Sequence, residues 1–134
     1  MSTKVKSSLK SDPKNKSVEE FFGRVVSFNN SLKLYHWTVS GPGSYAKHLA
    51  LDEALGSLTD STDKIVEVSY SLLGDLHIEI PSTKTPEDIV EHVSSFYYYL
   101  ETSRELFAEA FIQAIFDDFQ EALQSLLYKL RRLA

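Results

Sequence analysis

Residues 44–74 read SYAKHLALDEALGSLTDSTDKIVEVSYSLLG, and this stretch decides the fold. Tyr45, Leu49, Leu51, Leu55, Leu58, Ile65, Val66 and Leu72 recur at helical spacing, which predicts one long amphipathic helix. Ser44 can cap its start, and Gly74 stands where a C-terminal cap belongs. Upstream, Ser17-Val-Glu-Glu20 has the S-x-x-E form of a capping box. Val18, Phe21, Phe22, Val25, Val26, Phe28, Leu32 and Tyr35 follow it on one helical face, up to the breaker cluster Gly41-Pro42-Gly43. Downstream, Asp75 to Pro81 alternates apolar and polar residues and predicts an extended connection. Thr85-Pro86-Glu87-Asp88 predicts the start of a third helix, with Thr85 as the cap and Pro86 at the first helical position.

From Ile89 to Ala134 there is no Gly or Pro. One helix of that length would reach about 70 Å, whereas the first two span roughly 35–45 Å. A break around Ala108–Phe111 is therefore predicted, giving a third and a fourth helix. Four amphipathic helices and no strand ladder define an all-α four-helix bundle over residues 17–134.

The whole chain has 134 residues, one domain's worth, with 43% hydrophobic and 25% charged residues. It contains no Cys, which excludes disulfides, thiolate metal sites and cysteine catalysis. No apolar run reaches the roughly 20 residues of a membrane span, and no signal-peptide core is visible, so a cytoplasmic protein without a membrane partner is expected. The net charge of −5 conceals a split. Lys4, Lys6, Lys10, Lys14 and Lys16 against Asp12 give residues 1–16 a charge of +4, leaving −9 on the rest. This lysine-rich segment is nearly free of apolar residues and is expected to be a disordered tail.

The chemistry concentrates in His36, His48, Asp52, Asp63 and Glu67. His48/Asp52 and Asp63/Glu67 are i,i+4 pairs, each able to present two ligands on one helical face. Asp52 and Asp63 are eleven residues apart, close to three full turns, so the two pairs share a stripe. Those turns also separate them by about 16 Å, too far for one metal centre. His36 lies about a turn before the Gly-Pro-Gly hairpin and His48 about a turn after it, which brings the imidazoles together if the two helices run antiparallel. Each chain then offers one half-site, His36/His48/Asp52, and a remote second half, Asp63/Glu67. Two copies of the second helix packed antiparallel about a two-fold axis would complete two sites in an isologous dimer. Singly, each of these residues reads as a solvated or satisfied side chain; together, at consistent spacing, they point to a metal site. Mixed imidazole and carboxylate donors suit Fe(II), Zn or Mn.

His36-Trp37, Gly41-Pro42, His48, Asp52-Glu53, Asp63 and Glu67 resemble the ferroxidase signature of Dps-type miniferritins, the DNA-binding proteins from starved cells, in the ferritin-like superfamily. The family spacing H-x11-H-x3-D-x10-D-x3-E is reproduced in every interval. The resemblance implies that His36, His48 and Asp52 of one subunit and Asp63 and Glu67 of its two-fold mate bind and oxidise iron with peroxide or oxygen. It further implies a dodecameric, iron-storing shell that protects DNA from oxidative damage, with Trp37 as an electron-transfer aromatic beside the centre. The alternative for Trp37 is a core residue at a helix end. Zinc is an alternative occupant of the same ligands. The lysine-rich tail (Lys4, Lys6, Lys10, Lys14, Lys16) resembles the tails through which some members bind DNA, which would make the protein nucleoid-associated. Such binding would be non-specific and salt-sensitive. The chain departs from the family in the connection Leu76-His-Ile-Glu-Ile80, where a short helix is common, and in lacking an Asp-rich segment before the last helix; Asp117 and Asp118 read as a solvated face. Glu91-His92 is expected at the surface, and the run Phe96-Tyr97-Tyr98-Tyr99 is expected to expose at least one ring.

A different function class also fits the bundle: a non-enzymatic, DNA-packaging or structural shell whose metal site holds zinc or is idle. The Glu-x-x-His motif of other di-iron bundles is absent, since Lys33, Tyr45, Gly74 and Ile89 stand three residues before the four histidines. Neither HExxH nor a Gly-rich phosphate loop is present.

Overall fold

The computed structural model describes residues 13–133. It contains four helices, α1 (Pro13–Thr38), α2 (Ser44–Leu73), α3 (Ile89–Ser103) and α4 (Ala110–Leu133), with a 3-10 turn, Arg104–Leu106, between the last two. No strand occurs among the described residues, and the architecture is the expected all-α four-helix bundle. α2 packs chiefly on α4 and α1, and α4 also packs on α3. The core is aromatic at its centre, where the Phe21 and Phe116 rings stack at 5.5 Å and Phe107 joins them from the α3–α4 break. No helix is long and apolar enough to cross a membrane.

Three helix starts differ from expectation. α1 begins at Pro13, so Lys14 and Lys16 lie in its first turn rather than in a tail. Proline suits that position, because its missing N–H has no helical acceptor there. Ser17 therefore sits one turn inside the helix, its hydroxyl donating to the Pro13 carbonyl at 3.2 Å, and does not cap. α2 is capped by Gly43 at φ +75°, with Ser44 as its first helical residue and no side-chain cap. α3 starts at Ile89, not Thr85: Asp88 is the cap, its Oδ1 accepting from the Glu91 N–H at 3.1 Å. Gly74 ends α2 as expected, its N–H donating to the Tyr70 carbonyl.

The break before α4 falls at residues 104–109, overlapping the expected position. Phe107 adopts an extended conformation (φ −131°, ψ 137°) that turns its ring into the core. The Gln113 amide then donates to the carbonyls of Arg104 and Phe107 at 3.0 and 2.9 Å. Arg104 returns the contact, donating to the Gln113 and Gln120 side chains and pairing with Asp117 at 2.7 Å. Asp117 is thus exposed but ion-paired, while Asp118 is simply exposed.

Residues 74–88 form an extended strap along α1. Glu19, Gly23, Ser27 and Ser31 recur every four residues on α1 and form the stripe that receives it. The buried Glu19 carboxylate accepts from the His77 N–H, the Ser27 and Thr83 hydroxyls bond at 2.8 Å, and Ser31 bonds the His92 ring at 2.6 Å. At Gly23 the strap comes so close that a Cβ would lie 2.2 Å from the Glu79 carbonyl oxygen. Only glycine permits that approach.

Candidate metal centre

The end of α1 and the start of α2 meet across the hairpin 39–43, and this junction assembles the imidazoles. His36, in the last turn of α1, is 5% exposed. Its ring lies 3.7 Å from that of His48, centroid to centroid, at an interplanar angle of 31°. Asp52, one turn after His48, faces both, with Oδ1 2.8 Å from His36 Nε2 and Oδ2 3.6 Å from His48 Nε2. One donor atom from each of the three residues falls within a group spanning no more than 4.8 Å.

The state of His36 tests whether a cation fits. Among the described residues neither ring nitrogen has a hydrogen-bond partner, although both are shut off from solvent. Asp52 lies close to Nε2, but the carboxylate is not aligned to accept a ring N–H. A buried polar atom left without a partner costs about 1–3 kcal/mol. Coordination through Nε2 would satisfy that atom, and a carboxylate beside two imidazoles is a donor set suited to Fe(II), Zn or Mn. The residues fit a divalent transition metal.

Of the five expected ligands, the chain brings together His36, His48 and Asp52. Asp63 and Glu67 are exposed farther along α2, about 16 and 22 Å from Asp52 by helical rise. Trp37 is 66% exposed, so it is not a core residue; the Lys33 ammonium lies 5.9 Å from its ring centroid. Lys4, Lys6 and Lys10 lie outside the described residues, and Lys14 and Lys16 are exposed.

His92 corrects an expectation. It is not a surface residue: it is half-buried, stacked 5.1 Å from the Phe28 ring and bonded to Ser31, and burial holds its imidazole below the ordinary histidine range. Glu91 is exposed as expected, and of the aromatic run Tyr98 is the exposed ring. The signal that could have located His92 is the four-residue recurrence of Glu19, Gly23, Ser27 and Ser31, a small and polar stripe on a helix otherwise read only for its apolar face.

No curated protein and no solved structure matches the chain. A family profile does, over residues 36–130, which takes in all five expected ligands. With most of its length matched, the chain belongs to DUF5856, a family of unknown function.

Proposed function

We propose that this protein is a Dps-like ferroxidase that oxidises Fe(II) at sites shared between two-fold related chains and stores the ferric product in a closed homo-oligomer. The observation that carries this reading is the convergence of His36, His48 and Asp52 around an imidazole with no hydrogen bond of its own. Three protein ligands leave positions for a substrate ion and an oxidant. Asp63 and Glu67 supply the missing carboxylates from the mate. Ferrous ions are the substrate: each of two gives one electron to one peroxide, whose O–O bond breaks, and the ferric ions hydrolyse with release of protons.

The surface of α2 supports the shared arrangement. Tyr45, Leu49, Asp52, Gly56, Asp63, Glu67 and Tyr70 are all exposed and lie within about 30° of a common midline. An antiparallel mate centred between Ser57 and Leu58 opposes Asp52 to Asp63, His48 to Glu67 and Tyr45 to Tyr70. Tyr45 is 74% exposed and Leu49 48% exposed, apolar surface that such a mate would cover. Gly56 falls beside the crossing point, and a Cβ there meets nothing within 4 Å, which leaves room for a close helix approach.

The test is stopped-flow absorbance after mixing the full-length protein with Fe(II) and peroxide. Wild type should form ferric product rapidly, and His48→Ala should lower the rate by about 100-fold. A wild-type rate no faster than buffer would remove the ferroxidase reading and leave a zinc-holding or idle structural shell, because the same donors serve zinc. DNA association through the N-terminal lysines is part of the proposal. Because α1 begins at Pro13, the appropriate truncation removes residues 1–12 only. It should abolish a DNA affinity that already falls steeply with salt, and unchanged binding would assign DNA contact elsewhere.

A further inference from the structure

α1 and α3 pack less closely than the other neighbouring helices, and a groove of about 660 Å³ opens between them under the strap. Its volume is that of a small-molecule site. Phe28 and Phe96 form one wall, their rings stacked at 3.9 Å and nearly parallel, and Tyr99 continues it. Pro81 and Pro86 of the strap also line it.

The charge of this groove is opposite to that of the protein. The chain carries a net −5, yet among the described residues the groove is lined by Arg24, Lys84 and His92 and by no Asp or Glu. Neither Arg24 nor Lys84 is in a salt bridge among the described residues; Arg24 lies over the Tyr99 ring at 5.4 Å. The hydroxyls of Ser82, Thr85 and Ser95 add donors that no group among the described residues uses. Glu20 is the acid whose field reaches the groove, at Tyr99, where that of Arg24 outweighs it. Two cations without a carboxylate partner among the described residues, beside spare hydroxyls, recognise a phosphate, and the half-buried rings of Phe96 and Tyr99 recognise a planar ring.

We propose that the groove between α1, the strap and α3 binds a free nucleoside monophosphate, with the phosphate at Arg24 and Lys84 and the base against the Phe96 and Tyr99 rings. The site is separate from the His36/His48/Asp52 cluster and stands whether or not that cluster oxidises iron. Phosphate on a planar ring could also arrive as part of a nucleic-acid strand, and the titration below distinguishes the two sources.

Adenosine monophosphate is titrated into the full-length protein, following the His92 ring signal by NMR, which is resolvable because the chain has four histidines. The expected result is a saturable shift of His92. Adenosine alone and inorganic phosphate alone should each bind at least about tenfold more weakly, as should the Arg24→Gln/Lys84→Gln double variant with adenosine monophosphate. Both replaced side chains are exposed, so the variant should keep the wild-type melting temperature. The proposal is overturned by no saturable shift by about 10 mM nucleotide, by inorganic phosphate binding as tightly as the nucleotide, or by wild-type affinity in a folded double variant. Tighter binding of a short oligonucleotide lacking a terminal phosphate would also overturn it, in favour of a strand.

Discussion

The C-terminal end and the middle of α1 teach different lessons. At its C-terminal end, a histidine meets a histidine and an aspartate across a five-residue hairpin, and the partners are near neighbours in sequence. Along its middle, Ser27, Glu19 and Ser31 meet Thr83, His77 and His92, which are 56, 58 and 61 residues away. The first assembly follows from helical period and one turn. The second exists only because an extended strap returns along the helix, and no local pattern announces that path. The molecule therefore has a metal-type site built from local geometry and a cationic groove built from long-range contacts.

The strap can be broken at Gly23. Gly23→Ala places a methyl group 2.2 Å from a backbone carbonyl, which no rotamer change relieves. Despite alanine's better helix propensity, the variant should lose about 1–3 kcal/mol in urea unfolding, with a reshaped groove and an unaltered His36/His48/Asp52 cluster. Wild-type stability would mean that the strap does not lie on α1.

The metal-type end should respond with the opposite sign. His36→Leu removes a buried imidazole that has no hydrogen bond and replaces it with an apolar side chain. Metal-free protein should gain roughly 1 kcal/mol by denaturant titration while Fe(II) oxidation is lost, the usual opposition between a site built for function and a core built for stability. A loss of stability without metal would instead make His36 a structural residue.

The smallest effect belongs to His92. Burial lowers its pKa below the ordinary 6.5, so the folded state resists protonation. Above pH 6.5 the imidazole is neutral in both states and imposes no penalty. As pH falls from 6.5 toward the lower folded value, the unfolded state takes up the proton first and stability declines. His92→Gln should flatten this acid limb of the stability profile, and an unchanged slope would remove His92 as its source.

These regions also explain what could be read from the chain alone. Apolar periodicity located all four helices, and the length of the segment from Ile89 required the break that Phe107 makes. The starts of α1 and α3 were misplaced because Ser17 and Thr85 have capping chemistry, but Pro13 and Asp88 sit where the backbone first turns helical. Spacing recovered the contact among His36, His48 and Asp52. From sequence alone His92 reads as a surface residue, because its partner Ser31 belongs to another helix and polar residues on an amphipathic face are ordinarily turned to water. Trp37 was legible only by resemblance, and its exposure removes the core alternative.

The central claim is that each iron site draws ligands from two chains, and mixing two inactive variants tests it most directly. His48→Ala spoils one half-site and Asp63→Ala the other, so each alone should oxidise Fe(II) slowly. When the two are unfolded together and refolded as a mixture, each mixed dimer carries one doubly damaged site and one intact site. Stopped-flow absorbance should then recover about a quarter of the wild-type ferroxidase rate, because half of randomly paired dimers are mixed and one of their two sites is whole. Activity no greater than that of the separate variants, in a mixture shown to have refolded and exchanged chains, would contradict the shared site.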